Sequence, residues 1–350
     1  LFLPAATYPD ATSQIAFYDR LTERLRALPG VTVAAAMSGL PPRRDVNAND
    51  TQFEGIQPTP EGPPHNTDYW QFATRDYLEA MRIPLVAGRG FTASDDGAST
   101  PVVLINERLA RVFYPDTDPI GRRLRPPGSN NPWFTIVGIV KDVKQGGLEE
   151  ETGTEIYFSY SQVGQALGFT PRTMNVVVRT AGDPAALAGS VSAVVREADA
   201  SLPVANLATM GDVLHDAVAA PRFLTLLLTI FAAVALALAA IGTYGVMAYS
   251  VVERRQEIGI RMALGARTGT ILRMVLTQGF SVAAVGLVLG VGGAFALTKL
   301  LQSLLFNVSA TDPAAFVGAP LVLAVVALLA CYIPAHRATA VDPALVLKQE

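Results

Sequence analysis

The sequence predicts a two-part molecule, an α+β water-soluble domain over residues 1–215 followed by an all-α membrane domain over residues 216–350. Half of the 350 residues are apolar and only 16% are charged, which is more apolar than an average soluble protein. Residues 223–350 contain eight of the chain's 27 Lys and Arg and five of its 30 Asp and Glu, so this part is mildly basic and the rest is acidic. The uneven charge indicates a soluble domain joined to a membrane domain.

The first 215 residues show helix and strand patterns in irregular alternation. Apolar residues recur at three- and four-residue steps over 10–28, which predicts an amphipathic helix that a Pro-Gly pair ends, and a strand is expected over 31–37. Residues 43–67 are rich in Pro, Gly, Asn and Asp, and they are expected to form an irregular surface segment. Further strands are expected at 71–74, 101–105, 134–140, 155–160, 173–179 and 202–207, and further helices at 76–81, 106–113, 184–198 and 210–219.

These elements favour an α+β fold in two lobes. One lobe would join the first helix and strand to the last strand–helix–strand unit, residues 173–207. The other lobe would be the insert from Tyr77 to Val143, in which Asn106 is placed to cap a helix.

Three apolar runs are long enough to cross a membrane, residues 223–252, 274–298 and 314–335. None of them contains Asp, Glu, Lys, Arg or His. At 1.5 Å per residue, a run of 25 residues reaches about 37 Å, against a hydrocarbon core of about 30 Å. The absence of ionisable side chains inside the runs argues against an ion-coupled transporter and against an intramembrane aspartyl protease.

Positive charge sets the expected orientation of these runs. The loop between the first and second runs carries five arginines, Arg254, Arg255, Arg261, Arg267 and Arg273. The positive-inside rule therefore places residues 253–273 and 336–350 in the cytoplasm, and three spans then place residues 1–222 outside. An exported N-terminal domain requires a span before Leu1, so we expect at least four spans in the complete protein.

Four glycines lie on one face of the second run. Gly279, Gly286, Gly290 and Gly293 step by seven, four and three residues, and the middle pair forms a GxxxG motif. Small residues allow another helix to approach closely, so we expect this face to pack within a helix bundle or across a dimer.

We expect no catalytic, cofactor-binding or metal site in the chain, and therefore no enzyme activity of its own. His65 and His215 are far apart in sequence and lack a second His or Cys at ligand spacing. No GxSxG, HExxH or GxxxxGK[ST] motif occurs. The acidic domain does not interleave aromatic and basic residues, which argues against nucleic-acid binding, and the basic cluster at 122–125 is interpreted as a hairpin surface.

The most charged stretch of the membrane part is Glu253–Ala266, which reads ERRQEIGIRMALGA and lies between the first two apolar runs. Glu257 and Arg261 are four residues apart with Glu first, which is the favourable order on a helix. The charged side can face water or a partner while Ile258 and Met262 face lipid or the helix bundle. From the residues alone, a helix held to anionic lipid is the alternative to a docking helix.

This stretch, together with other segments, resembles FtsX/MacB-type ABC transporter permeases. Its own match to the cytoplasmic signature of that family is Glu253-Arg254-x-x-Glu257-Ile258-Gly259-Ile260-Arg261-x-Ala263-x-Gly265-Ala266. The ending Pro334-Ala335-His336-Arg337-Ala338 is similar to the family's exit from the last span, with His336 where the family often has Arg. The first part resembles the MacB periplasmic core domain in Leu28-Pro29-Gly30-Val31, residues 83–89, residues 103–121, residues 136–140 and Asp142.

The resemblance implies a permease or mechanotransmission subunit of a bacterial inner-membrane transporter, with ATP hydrolysed by a separate cytoplasmic ABC ATPase. It implies four spans with the outer domain between the first and second. It also implies a second permease copy or half as dimer partner, contact with membrane lipid, and an extracytoplasmic substrate or partner protein. The surface expected to dock on the ATPase consists of Glu253, Arg254, Glu257, Ile258, Gly259, Arg261, Gly265 and Ala266.

A membrane-anchored extracytoplasmic sensor or binding protein with no transport role is the alternative. It would need a cytoplasmic output domain, and only 15 residues follow Ala335. A membrane enzyme is a third possibility, and no nucleophile, metal or carboxylate arrangement in the sequence supports it.

Overall fold

A computed structural model of the chain describes residues 1–42, 44, 46–57, 66–128, 130–148, 150–264, 266–302 and 313–339. The chain divides into two compact units, Leu1–Ala220 and Pro221–Glu350. All strands of the described residues lie in the first unit, and the described part of the second unit is helical.

A nine-stranded mixed sheet forms the centre of the first unit. The strands of this unit are β1 (Val31–Met37), β2 (Asn49–Asp50), β3 (Gln52–Phe53), β4 (Asn66–Thr67), β5 (Tyr69–Ala73), β6 (Leu85–Gly88), β7 (Val102–Asn106), β8 (Arg123–Arg125), β9 (Phe134–Val140), β10 (Glu155–Ser159) and β11 (Asn175–Thr180). The sheet order is β11-β1-β5-β10-β7-β9-β8-β3, with β6 also paired to β9, while β2 and β4 pair separately. The β5–β10 and β7–β9 pairs are parallel and the others are antiparallel.

Helices pack on both faces of this sheet. They are α1 (Ala11–Arg26), α2 (Tyr77–Met81), α3 (Glu107–Phe113), α4 (Tyr160–Leu167) and α5 (Ala188–Ala198), the last preceded by a 3₁₀ turn, Ala185–Leu187. The larger core contains residues of α1, α3, α4 and α5, and the smaller core contains residues of α2. In β1, Ala34 and Ala36 belong to the larger core and Val33 and Ala35 to the smaller one, because successive strand side chains point to opposite faces.

The first helix and strand follow the sequence pattern closely. α1 buries Phe17, Leu21 and Leu25 along one stripe, as the three- and four-residue spacing predicts. Its N-cap is Asp10, whose carboxylate accepts a hydrogen bond from the Ser13 N–H at 2.8 Å. The strand expected over 31–37 is confirmed as β1.

Two sequence expectations for the first unit are wrong. Residues 202–207 form no strand; their backbone is an irregular connection. The two expected lobes also do not separate, because β6, β7 and β9 of the expected insert lie in the same sheet as β1 and β11. β10 joins the two regions, since it pairs with β5 on one side and with β7 on the other.

Asn106 caps α3, as the sequence predicts, and it also ties α3 to β10. Its Oδ1 accepts from the N–H groups of Leu109 and Glu155, both at 3.0 Å, and its Nδ2 donates to the Gly153 carbonyl at 2.8 Å. The side chain is fully buried. One amide therefore satisfies three backbone groups, and the N–H groups of Leu109 and Glu155 are buried away from water.

We expect Asn106→Ala to lower the free energy of unfolding of the first unit by about 2 kcal/mol, because it leaves buried backbone groups without partners. Thermal unfolding of the full chain in detergent measures this loss. Asp10→Ala removes a solvent-exposed cap and is the matched control, since water can replace the lost oxygen. An equal loss in the two variants would contradict the role given to burial.

The second unit consists of four described helices, α6 (Met210–Glu253), which begins in the first unit, α7 (Arg255–Ala263), α8 (Thr268–Gln302) and α9 (Pro313–Thr339). Within the described ranges, two segments are long and apolar enough to cross a membrane, α6 and Val317–Pro334 of α9. In α8 the apolar segment Ala284–Leu297 is shorter than a span. Two of the three expected spans are thus candidates in the structure, and the one expected at 274–298 stays a prediction.

Candidate functional site

α7 is a nine-residue helix that connects the apolar helices α6 and α8. A single turn residue, Arg254, separates it from α6, and Leu264 ends it by donating its N–H to the Ile260 carbonyl at 3.0 Å. Glu257 lies in the first turn and Arg261 in the last turn. The negative charge of Glu257 is near the N-terminus of the helix and the positive charge of Arg261 is near its C-terminus. This is the arrangement that the helix dipole favours.

The inner side of α7 packs against the start of α8. Ile258 and Ile271 are 3% and 1% exposed, and Val251, Met262 and Ala266 contact them. Of the residues expected on the docking surface, the structure therefore places Ile258 and Ala266 on the inner side. Met262 also lies there, as its spacing from Ile258 indicates.

The outer side of α7 carries exposed charges. Glu253, Arg254, Glu257 and Arg261 are all exposed. Arg261 Nη2 lies 2.6 Å from Glu257 Oε1, and each side chain of this pair is nearly half exposed. An exposed pair of this kind adds less than about 1 kcal/mol of stability, so these charges are available to a partner.

Two exposed apolar side chains accompany these charges, and the sequence analysis missed them. Ile260 is 51% exposed and Leu264 is 83% exposed. They are four residues apart, as Ile258 and Met262 are, but they are offset from that inner pair by two residues, which is about 200° around the helix. Gly259 lies within α7, and Gly265 lies outside the described residues.

The glycine face of α8 has two different environments. A methyl group added at Gly279 would lie 2.8 Å from the Cys331 sulfur of α9 and 2.9 Å from Met247 Cε of α6. At Gly286, Gly290 and Gly293 the added group would meet no atom of the described residues within 4 Å. Gly279 thus allows close packing of three helices within the second unit, and the other three positions are open.

A buried polar cluster in the first unit was not predicted from the sequence. Glu155 at the start of β10 is fully buried, and Arg44 Nη1 lies 3.2 Å from its Oε1. Gln145 Nε2 donates to both carboxylate oxygens at 2.8 and 2.9 Å, and the Tyr157 hydroxyl donates to Oε2 at 2.7 Å. Burial raises the pKa of Glu155 to about 7, while these donors and Arg44 oppose the rise.

Arg44 holds this cluster and the backbone around it together. Its N–H donates to the Gln145 carbonyl at 2.9 Å, its Nη2 donates to the Trp70 carbonyl, and its guanidinium lies 5.2 Å from the centre of the Tyr69 ring. All the carboxylate's partners come from the same chain, so the cluster is a structural ion pair within the first unit.

A metal site would need several His, Cys, Asp or Glu side chains close together in the described residues. No group of three or more His, Cys, Asp or Glu side chains in these ranges is placed to hold a metal ion. His215 lies 4.0 Å from Asp216, with both side chains exposed, and His65 lies outside the described residues. The outer side of α7 is therefore the surface on which a functional hypothesis rests.

A strand-rich unit followed by apolar helices, two of which are joined by a short charged helix, is the organisation of a membrane permease subunit with a water-soluble domain. Two family models match the chain, the MacB-like periplasmic core domain over residues 4–194 and the FtsX-like permease C-terminal domain over residues 229–343. The chain therefore belongs to the MacB-like and FtsX-like family of ABC transporter permeases, as its sequence motifs predicted.

Curated relatives agree with this assignment. The chain is 27% identical over 280 residues to the macrolide export ATP-binding/permease protein MacB of Marinobacter nauticus, a match that covers 77% of this chain and 42% of the relative. It is 28% identical to the pyoverdine export ATP-binding/permease protein PvdT of Pseudomonas aeruginosa, covering 81% and 43%. The ABC transporter permease YknZ of Bacillus subtilis is 22% identical, covering 99% and 82%. The chain thus spans about two-fifths of the length of the MacB and PvdT relatives.

Solved structures of two such domains are also similar to this chain. The periplasmic region of MacB from Actinobacillus actinomycetemcomitans superposes with a TM-score of 0.38 at 15% identity, covering 51% of this chain and 73% of that one. The extracellular domain of YknZ superposes with a TM-score of 0.36 at 17% identity, covering 55% and 86%. The family assignment rests on the sequence matches.

Proposed function

We propose that this chain is the permease or mechanotransmission part of an ABC transporter, in which a cytoplasmic ATPase outside these 350 residues drives movement of the first unit. ATP hydrolysis then belongs to that ATPase, and the chain has no enzyme activity of its own. The single observation that carries the proposal is the outer side of α7, which exposes charged and apolar side chains on a short helix between two apolar helices.

The composition of this surface favours a protein partner over lipid alone. Ile260 and Leu264 are apolar anchors, and Glu257 and Arg261 border them with charge, which is the pattern of an apolar centre with a polar rim. A helix held only to anionic lipid would be expected to carry basic residues without Glu253 and Glu257. The printed names of the MacB and PvdT relatives join ATP binding to the permease, which supports an ATPase as the partner.

The proposal includes a topology in the bacterial inner membrane. Residues 223–252, 274–298 and 314–335 cross the membrane, a further span precedes Leu1, and α7 faces the cytoplasm by the positive-inside rule. Residues 1–222 then lie outside, where an exported substrate or a partner protein is handled. The open positions Gly286, Gly290 and Gly293 fit a second permease copy or half, because small residues allow helices to approach closely.

We expect the double variant Ile260→Asp and Leu264→Asp to weaken binding of the ATPase by roughly 700-fold, because two interface anchors at about 2 kcal/mol each add to about 4 kcal/mol and every 1.4 kcal/mol is tenfold. Charge reversal at Glu253 and Glu257 should likewise abolish co-purification. The measurement is co-purification of an ATP-binding protein with the tagged full chain from its native membrane, quantified by mass spectrometry.

Two control variants separate docking from folding. Glu197→Arg reverses an exposed charge in the first unit and should leave co-purification unchanged. Ile258→Asp disrupts the buried contact with Ile271, so it should lower the melting temperature, whereas the variants on the outer side of α7 should not. Unchanged co-purification in the α7 variants, or the absence of any ATP-binding partner of the unaltered chain, would contradict the proposal and favour the sensor alternative.

A further inference from the structure

β6 is an exposed strand at the border of the sheet. All residues from Pro84 to Arg89 are exposed, and Leu85 and Val86 are 43% and 47% exposed although they are apolar. Neighbouring side chains in a strand point to opposite faces, so neither face of the strand is covered at this point. Its only strand partner among the described residues is β9.

The hydrogen bonds to β9 show which backbone groups of β6 are free. The Lys141 N–H donates to the Pro84 carbonyl and the Arg89 N–H donates to the Val137 carbonyl, both at 2.9 Å. The first bond lies next to the Leu85–Val140 pair of the ladder, and the second lies next to the Gly88–Gly138 pair. In an antiparallel ladder, residues flanked in this way turn their own N–H and C=O away from the partner strand. The N–H and C=O groups of Leu85 and Gly88 therefore point to the open edge.

The edge is held rigidly in place. The carbonyl of Arg89 and the Cα of Gly138 are so close that a Cβ at Gly138 would overlap the carbonyl oxygen. Arg89 is further fixed by two hydrogen bonds to Asp95, at 2.7 and 2.9 Å. A preformed strand with free donors and acceptors binds an extended segment with little loss of its own conformational freedom.

The charge near β6 and the small size of its free edge indicate what kind of segment binds there. Arg82 precedes β6 and is exposed, and no carboxylate lies within ion-pair distance of it among the described residues. A second copy of this chain fits poorly as the occupant. A four-residue edge buries far less than the roughly 800 Å² per partner of a stable dimer.

We propose that the free edge of β6 accepts an extended segment of another protein as an added antiparallel strand. The segment carries apolar residues beside Leu85 and Val86 and a carboxylate at its C-terminal end, where the antiparallel direction places it near Arg82. Main-chain hydrogen bonds to Leu85 and Gly88 provide the affinity, and the side chains provide the selectivity.

The test uses the full chain in detergent and the probe peptide acetyl-Thr-Val-Thr-Val-Thr-Val-Asp-amide, with hydrogen–deuterium exchange read residue by residue. The probe should slow exchange of the Leu85 and Gly88 amides by about tenfold or more. The amides of Arg89 and Lys141 already bond within the ladder and should not change. A peptide of the same sequence with every backbone amide N-methylated has no donor on either edge, so it cannot pair as a strand and should leave all four amides unchanged.

Matched variants locate the binding. Leu85→Lys should abolish protection by the probe, whereas Leu148→Lys, which alters a loop side chain that is also 43% exposed, should not. Three results would overturn the proposal. The first is no protection at a saturating probe concentration. The second is protection of the two amides before any probe is added. The third is protection that depends on protein concentration alone, which would identify a second copy as the occupant.

Discussion

Replacing Arg44 by Ala is expected to lower the free energy of unfolding of the first unit by about 3–5 kcal/mol at pH 8, because it leaves a buried carboxylate without its cation. Glu155 is 1% exposed in its side chain and Arg44 is 10% exposed, so water cannot take the place of the guanidinium. For a unit of this size the loss corresponds to a fall of roughly 10 °C in melting temperature.

The loss should depend on pH. Burial raises the pKa of Glu155 from 4.5 to about 7 in the folded protein, so the folded state holds one more proton than the unfolded state between these values. The unaltered protein therefore loses this part of its stability as the pH rises from 4.5 to 7. Without Arg44 the pKa of Glu155 rises further, and at pH 5 the carboxyl is neutral. The Arg44→Ala penalty should thus be small at pH 5 and large at pH 8.

Thermal unfolding of the full chain at the two pH values measures this difference. Arg24→Ala removes an exposed ion pair with Glu197 and should change the melting temperature little at either pH. Glu155→Gln removes the titrating group and should flatten the pH dependence between 5 and 8. An Arg44→Ala loss of equal size at both pH values would show that lost packing, and not charge, is the cause.

Gly138→Ala is expected to destabilise the first unit by about 3 kcal/mol, because the new methyl group would overlap the Arg89 carbonyl. The same methyl group would lie 3.0 Å from Leu104 Cδ2, so the strand cannot shift toward β7 to relieve the overlap. Gly88, its partner across the ladder, has a φ of +72°, and a Cβ there would overlap the Val137 carbonyl. The two glycines allow β6 and β9 to approach closely.

Gly182→Ala is the matched control for this prediction. An added methyl group at Gly182 meets no atom within 4 Å in the part of the chain that the structure describes. The substitution also reduces the freedom of the unfolded chain, so stability should stay the same or rise slightly. Melting temperatures of the two variants in the full chain make the comparison. A Gly138→Ala protein as stable as Gly182→Ala would show that β6 can move away from β9.

Patterns within one segment were sufficient to predict much of this molecule. The stripe of α1, the short apolar run of β1 and the long apolar runs on α6 and α9 each depend on neighbouring residues, so local sequence patterns reveal them. The cap at Asn106 is local in the same way. The pairing of Glu257 with Arg261 was predictable because these residues are one helical turn apart, and a docking role for this surface stays a prediction.

Features that depend on distant residues were not predictable. Residues 202–207 have the composition of a strand but find no partner strand, and propensity alone cannot report this. The expected lobes lie in one sheet because β10 pairs with both β5 and β7. Pairing between strands that are distant in sequence leaves no local pattern. The carboxylate of Glu155 meets a guanidinium 111 residues away, so no spacing rule would detect the pair. A lone acidic residue opening the apolar strand EIYFS was the available signal.

The place of β1 between β5 and β11 constrains how the chain folds. Its outer neighbour begins more than a hundred residues later, since Val31 pairs with Thr180 and Met37 with Asn175. Pairing between residues so far apart in sequence gives the fold a high contact order. The entropy of closing this long loop is lost before the contacts between the two strands can stabilise it. A nascent chain therefore carries an open edge on its first strand until β11 has been synthesised, and an unpaired strand edge is prone to aggregation.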